Sequence, residues 1–384
     1  RVALVLAERE PAATREIAQH WLESDQPARA LTVAIEAARE LTRGHEDRTA
    51  LRFYSAVLEH LPAGDSRRLP IAEEAANACL RTGELHRGAS VLEPLLGEAT
   101  TRRDSARIHA MAGVLRHRGG DAAKGKGYLE KALRLLQDVR GADVTKERLW
   151  AESELAEIAV NAGDYARAES HCRRGLETIA RRREPRGDPG VRRVEMVLLG
   201  TLAHLKLRRF ELEEAHGLFR AALKAGEDLG PTPERSLILN NLGTLHVQQN
   251  RFHEAIECYE HAAKVSSRFE DEQGLAVLET NLAVLHARMG SPKEADEALL
   301  RAARHEARCD AARVRFLRLH ATGMVHLALG RHAQGAEVLE AAVALGTTLK
   351  DIHMTAFDLV HLGECRLYLG DFRTANEAFD RALV

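Results

Sequence analysis

Small and bulky residues recur at an interval of 40 positions along the second half of the chain. The columns, each in chain order, are Ala203, Gly243, Ala283, Gly323 and Gly363; Ala215, Ala255, Ala295, Gly335 and Ala375; Phe219, Tyr259, Leu299, Leu339 and Phe379; and Ala222, Ala262, Ala302, Ala342 and Ala382. A fixed period with small residues where two helices must touch is typical of stacked helical repeats. The pattern predicts five consecutive hairpins, each made of a first helix, called helix A, and a second, called helix B.

The same pattern continues upstream with looser spacing. Four more hairpins and one lone helix are predicted there, over residues 155–172, 113–132, 76–92, 18–37 and 50–58. Residues 1–62 are therefore expected to form an irregular first hairpin, including Trp21 and Asp25, plus one unpaired helix. Residues 63–384 are expected to form a solenoid of about eight helix pairs, most regular over 191–384. The predicted fold class is all-α, a right-handed α-solenoid of antiparallel helix pairs with helix A on the concave side.

Glycine marks the end of helix A in most hairpins, at Gly83, Gly120, Gly163, Gly290, Gly330 and Gly370. A left-handed residue at this position satisfies the last carbonyls of a helix, and glycine adopts it without strain. A short polar residue follows in several hairpins and is predicted to cap helix B, at Asp121, Asp164, Ser291 and Asp371. Residues 120–127 nearly match a phosphate-binding loop, but a helix precedes them and Gly127 stands where Ser or Thr would hold Mg²⁺. We interpret them as a hairpin turn.

Composition argues against several classes of function. A formal charge of −2 creates no field for nucleic acid, and no apolar run approaches the ~20 residues that cross a bilayer. We therefore expect no direct nucleic-acid partner and no membrane. The five cysteines are isolated, which is typical of the cytoplasm. No nucleophile paired with a base and no metal-ligand motif stands out, so we predict a protein that is not an enzyme and has no cofactor or metal.

The most regular segment, residues 240–262, resembles the tetratricopeptide repeat. Leu242 and Gly243 occupy the Leu-Gly positions of helix A, and Ala255, Tyr259 and Ala262 occupy the small and aromatic positions of helix B. Residues 361–382 match as well, and the resemblance covers about residues 66–384. The 40-residue interval looks like the longer-helix variety found in kinesin light chain, which implies a ligand-binding superhelix.

A second resemblance concerns residues 15–41 and the helix over 48–61, which are similar to the junction behind the nucleotide-binding module of large signal-transduction ATPases of the STAND type. In such regulators a tetratricopeptide tail senses a ligand or partner. The chain begins at Arg1 and stops at Val384 inside a helical pattern. We therefore expect it to be a piece of a longer protein, with an ATPase, kinase or DNA-binding domain as the missing part.

Two asparagines, Asn241 and Asn281, directly precede the Leu of helix A on the face that lines the groove of this fold. An amide side chain complements a peptide bond because it both donates and accepts. In kinesin light chain and similar repeats an Asn here holds the ligand backbone, and the resemblance implies that role for both residues. Thr201, Ala321 and His361 depart from the column. The alternative is that the asparagines only bridge adjacent helices.

Helical spacing places further candidates for ligand contact on the same face. They are Asn240, Thr244, Gln248, Thr280, Val284, Arg288, His320, Met324, Glu364 and Tyr368. His246, His286 and His326 form another column near the middle of helix A, where the repeat usually has Tyr. Neighbouring helices lie ~8–10 Å apart, too far for three such residues to share one zinc ion, so we interpret them as buried, hydrogen-bonded histidines.

These observations predict a non-catalytic scaffold that recognises a protein or peptide segment in its groove, as the sensor or interaction arm of a larger regulator. An extended peptide would gain hydrogen bonds from the asparagines and specificity from neighbouring side chains. Two alternatives stay open: a tail of a signalling ATPase or kinase that senses a small molecule, and a structural arm that forms homo-oligomers.

Overall fold

The structure, a computed structural model, describes residues 14–22, 30–137, 139, 145–181, 188–309 and 311–383. All regular elements within these ranges are helices. The chain forms two compact units, residues 1–202 and 203–384, and the boundary between them falls within helix α10. The fold is therefore an all-α solenoid of paired helices.

The first unit contains nine complete α-helices in its described residues. They are α1 (Thr14–Leu22), α2 (Leu31–Arg43), α3 (Asp47–His60), α4 (Arg68–Thr82), α5 (Leu85–Leu92), α6 (Arg102–Arg118), α7 (Ala122–Leu135), α8 (Thr145–Asn161) and α9 (Tyr165–Ala180), with a 3₁₀ turn over Glu93–Leu95. Helix α3 packs against both α2 and α4. Asp25 and the side chain of Trp21, expected in the first hairpin, lie outside the described residues.

Helix α10 (Pro189–Arg208) precedes the regular repeats of the second unit. These are α11 (Leu212–Ala225), α12 (Pro233–Gln248), α13 (Phe252–Ser267), α14 (Glu272–Arg288), α15 (Pro292–Cys309), α16 (Ala312–Ala328), α17 (His332–Leu349), α18 (Ile352–Tyr368) and α19 (Phe372–Ala382), with a 3₁₀ turn over Glu227–Leu229. The even-numbered helices α12 to α18 are A helices, and the odd-numbered helices α11 to α19 are B helices. None of the helices in the described part of the chain is both long and apolar enough to cross a membrane.

The columns of small and bulky residues meet where helix A crosses helix B of the same hairpin. A Cβ atom placed on Gly323 would lie 2.5 Å from the side chain of Leu339, and one on Gly363 would lie 2.4 Å from the ring of Phe379. Interior packing leaves no space for such an atom. The prediction that the 40-residue columns form helix contacts is confirmed.

The turns also follow the sequence. The glycines predicted to end helix A have positive φ angles between 71° and 93°. The side chains of Asp121, Asp164 and Asp371 each accept a hydrogen bond from the first turn of the following B helix. Gly120 and Asp121 lie in the turn between α6 and α7, and residues 122–127 form the first turns of α7. The segment therefore belongs to a helical hairpin, as predicted, with only its first two residues in the turn itself.

Candidate functional site

A pocket of about 230 Å³ lies between three successive A helices of the second unit, α12, α14 and α16. One residue of a B helix, Tyr259 of α13, also lines it. The other lining residues are Thr244, Val247, Val277, Thr280, Asn281, Val284, Leu285, Arg288, Leu317, His320, Ala321 and Met324. Spacings of three and four residues place side chains on one face of a helix, and the 40-residue period repeats that face from one A helix to the next.

Two of the lining residues, Thr244 and Tyr259, form a hydroxyl pair. The hydroxyls of Thr244 and Tyr259 are hydrogen-bonded at 3.2 Å, and Thr244 also donates to the backbone oxygen of Asn240 at 3.2 Å. Burial raises the pKa of Tyr259 to about 12. Its hydroxyl therefore stays protonated at neutral pH and serves as a hydrogen-bonding group without charge.

The asparagine side chains form a short chain of hydrogen bonds between adjacent A helices. Nδ2 of Asn281 donates to Oδ1 of Asn240 at 2.8 Å, and Nδ2 of Asn240 donates to Oδ1 of Asn241 at 3.4 Å. Asn281 therefore bridges adjacent helices, as in the alternative interpretation, and it also lines the pocket. Among the described residues no hydrogen bond involves Oδ1 of Asn281, which leaves this acceptor for a ligand.

Besides Tyr259, two ionisable side chains line the pocket. The guanidinium of Arg288 lies 5.0 Å from the ring centre of Phe252, where the aromatic face attracts a cation. Nδ1 of His320 donates to Oδ1 of Asp358, 2.6 Å away on α18, and Asp358 is fully buried. The histidine orientation is therefore fixed by a carboxylate that solvent does not reach.

The structure brings most of the predicted contact residues together. Those that line the pocket are Thr244, Thr280, Asn281, Val284, Arg288, His320 and Met324. Asn240 bonds to Asn281 and Asn241 bonds to Asn240, but neither lines the pocket, and Gln248 is exposed on α12 outside the lining. Glu364 and Tyr368 lie on α18, outside the pocket: Glu364 accepts from His361 at 3.0 Å, and Tyr368 stacks on His332 at 4.4 Å.

Sequence reasoning did not assign the remaining lining residues to the site. They are Val247, Tyr259, Val277, Leu285, Leu317 and Ala321. Apolar residues at these positions are indistinguishable from core residues in one sequence. A signal was nevertheless present, because Val277 and Leu317 lie one period apart on the face that carries Asn281.

The histidine column departs in part from the expectation of buried, hydrogen-bonded side chains. His246 is buried, whereas His286 and His326 are only partly buried. Nδ1 of His246 and Nδ1 of His326 have no hydrogen-bond partner among the described residues. Burial lowers the pKa of both. His246 packs edge to face with His216 of α11 at 5.8 Å, so apolar and ring contacts hold this side chain in place of the expected hydrogen bond at Nδ1.

One group in the described residues could offer three ligand atoms to a metal. Atoms of His117, Glu154 and Glu157 in the first unit lie within 4.8 Å of one another. However, Glu154 already accepts from Nδ1 of His117 at 2.7 Å and from Nε of Arg118 at 3.0 Å. Burial acts to raise the pKa of Glu154, but the interactions with His117 and Arg118 outweigh it and lower this pKa. The guanidinium supplies the positive charge that a metal would bring.

The tetratricopeptide repeat model matches residues 193–268 and 234–305 of the chain. No curated protein sequence matches it. Among solved structures, a Rap protein complexed with competence and sporulation factor is similar with a TM-score of 0.64 and 15% identity over 93% of this chain and 97% of that one.

Two further structures share the fold. Aspartyl phosphate phosphatase F from Bacillus subtilis has a TM-score of 0.59 and 12% identity over 92% of this chain and 93% of its own. The Rap conjugation gene regulator of plasmid pLS20, in complex with the Phr* peptide, has a TM-score of 0.57 and 13% identity over 92% and 94%. The TM-scores show a common fold, and at identities this low the similarity shows the fold alone.

Proposed function

We propose, from the premise that this chain carries tetratricopeptide repeats, that it is a non-catalytic scaffold recognising a protein or peptide segment in the pocket between α12, α14 and α16. The observation that carries the proposal is the lining. Val284 and Met324 offer apolar walls, while Asn281 and Thr244 present an amide and a hydroxyl. An extended peptide needs both, since its side chains bury apolar surface and its backbone needs hydrogen-bond partners.

Proteins of the same fold give this proposal independent support. One was solved in a complex with competence and sporulation factor and another with the Phr* peptide. At 15% and 13% identity they provide a precedent for ligand binding on this architecture. The ligand of this chain has to be argued from its own side chains.

The state of the cysteines favours a binding role over covalent catalysis. Burial raises the pKa of Cys172 to about 12, and the pKa values of Cys79, Cys258 and Cys365 to about 11. A thiol attacks as its thiolate, so these side chains are unreactive at neutral pH. All five cysteines are unpaired. We infer a cytoplasmic protein that acts through binding.

The test is selection of binders from a phage-displayed library of random octapeptides, followed by affinity measurements with labelled copies of the selected peptides. Met324→Lys places a charge in the apolar wall and should weaken binding about tenfold or more, because the ammonium must lose water without a partner. Leu300→Lys is the matched control, since Leu300 is 60% exposed on the B helix α15.

Circular dichroism spectra of both variants should show that the helices persist. Peptides that bind the two variants equally well would place recognition away from this pocket and contradict the proposal. A saturable thermal shift with metabolites, and none with any selected peptide, would instead favour the small-molecule alternative.

A further inference from the structure

The ionisable groups that line the pocket are unbalanced in sign. Arg288 and His320 are the two ionisable lining side chains apart from Tyr259, and the lining includes no Asp or Glu. The nearest carboxylate in hydrogen-bond contact with the lining is Asp358, which bonds His320 from a fully buried position. Within the described part of the chain, a ligand in the pocket therefore meets a cationic lining side chain and no carboxylate of the lining itself.

Unlike three other arginines of the second unit, Arg288 has no carboxylate partner among the described residues. Arg251 pairs with Glu254, Arg301 with Glu279 and Arg331 with Asp296. Within the described ranges no carboxylate pairs with Arg288, whose contact is the ring of Phe252 at 5.0 Å. The guanidinium has five N–H donors in a fixed plane, so its edge stays available to a carboxylate while its face rests on the ring.

The positions of the lining residues set the distance between an apolar anchor and a charge on the ligand. Asn281, Val284 and Arg288 follow one face of α14, and the seven steps from Asn281 to Arg288 span about 10 Å along the helix axis. An extended peptide advances ~3.3 Å per residue. When one peptide residue lies between the apolar walls, the peptide residues up to about three positions away from it can therefore reach Arg288.

We propose that the pocket selects acidic peptides: a large apolar residue enters between Val284 and Met324, and an Asp or Glu within about three positions pairs with Arg288. This specificity rests on the proposed function and adds the chemical class of the ligand. A paired guanidinium and carboxylate form charge-assisted hydrogen bonds. The same guanidinium repels a peptide with Lys or Arg at that position, so one residue both attracts one class of ligand and excludes the opposite class.

The experiment uses the octapeptides selected against the whole chain and a charge-exchange cycle. Most selected peptides should carry an Asp or Glu within three positions of a large apolar residue. Arg288→Glu should weaken their binding about tenfold or more, and replacing the peptide's acidic residue by Lys should restore binding to the variant. Arg304→Glu is the matched control, because Arg304 is an exposed residue of α15, outside the pocket lining.

The outcomes separate this proposal from the one on which it rests. Peptides that lose affinity on Met324→Lys but lack an acidic residue, or that bind equally to Arg288→Glu, overturn the acidic specificity and leave peptide recognition intact. Selection that yields no peptide sensitive to Met324→Lys overturns both. Equal losses with Arg288→Glu and Arg304→Glu would mean that only net charge matters, and would also overturn the role of Arg288.

Discussion

At the scale of single residues, the turn after helix A shows how one position tolerates different side chains. Five turns of the second unit place a residue in the left-handed region at the same point of the period. The residues and their φ angles are Phe210 (60°), Asn250 (58°), Gly290 (74°), Gly330 (71°) and Gly370 (79°). Glycine adopts this conformation freely, asparagine less so, and an aromatic residue only with strain.

Phe210→Gly should therefore stabilise the protein. The ring is 74% exposed, so its removal loses little packing, while relief of the left-handed strain should raise the free energy of unfolding by about 0.5–1 kcal/mol. Urea denaturation measures the change. Gly330→Ala, at the equivalent turn, should lower the free energy of unfolding. A destabilising Phe210→Gly would show that the ring contributes more through its contacts than the backbone loses through strain.

At the scale of elements, each hairpin depends on how closely its two helices approach. In α16 and α17 the absence of a side chain on Gly323 lets Leu339 fill the crossing. Gly243 and Tyr259 repeat the arrangement two hairpins earlier, where a Cβ atom would lie 2.6 Å from the ring. Small residues at the crossing therefore set the distance between the axes, and the bulky partner fills the space that remains.

Gly323→Ala should destabilise the protein by about 1–3 kcal/mol, because the added methyl group overpacks the crossing of α16 and α17. Thermal unfolding followed by circular dichroism measures the effect. Leu339→Ala is destabilising on its own because it leaves a cavity. Combined with Gly323→Ala, the loss should be smaller than the sum of the two single losses, since the shortened side chain makes room for the methyl group. Gly217→Ala in α11 is the control: a Cβ atom there meets nothing within 4 Å, and alanine favours the helix by up to about 1 kcal/mol. Similar losses in both variants would contradict the assignment of Gly323 to a crossing.

At the scale of the whole chain, the 40-residue period predicts that repeats of the second unit can be removed in register. Deleting residues 291–330 removes α15 and α16 and joins Gly290 to Arg331, the residue that follows Gly330 in the natural turn. Because each repeat contacts mainly its neighbours, the shortened protein should keep its helical content per residue while losing the wall formed by Leu317 and Met324.

Circular dichroism and cooperative urea unfolding test this prediction, together with loss of binding of the selected peptides. Deletion of residues 286–320 is the control, because it joins Leu285 of α14 to Ala321 of α16 within one helix and five residues out of register. Equal loss of helical content in the two deletions would show that the period alone does not determine how these helices stack.

Most of the architecture could be predicted from the sequence, because hairpins, crossings and turns are formed by residues close together in the chain. The columns at Gly323 and Leu339, the left-handed glycines and the Asp caps all belong to this class. The pocket was predicted only in part. Its position depends on which side chains of α12, α14 and α16 converge across repeats, and apolar residues such as Val247 and Leu317 look like core until the helices are placed.

The residues at the helix crossings and the residues that line the pocket occupy mainly different positions of the repeat, which affects how the sequence of such a protein can change. The crossings use one set of positions in each 40-residue period, and the lining of the pocket uses mainly another. Substitutions that change what is recognised can therefore accumulate with little effect on stability. Selection for a different ligand could then change the lining while the backbone and the crossings stay in place.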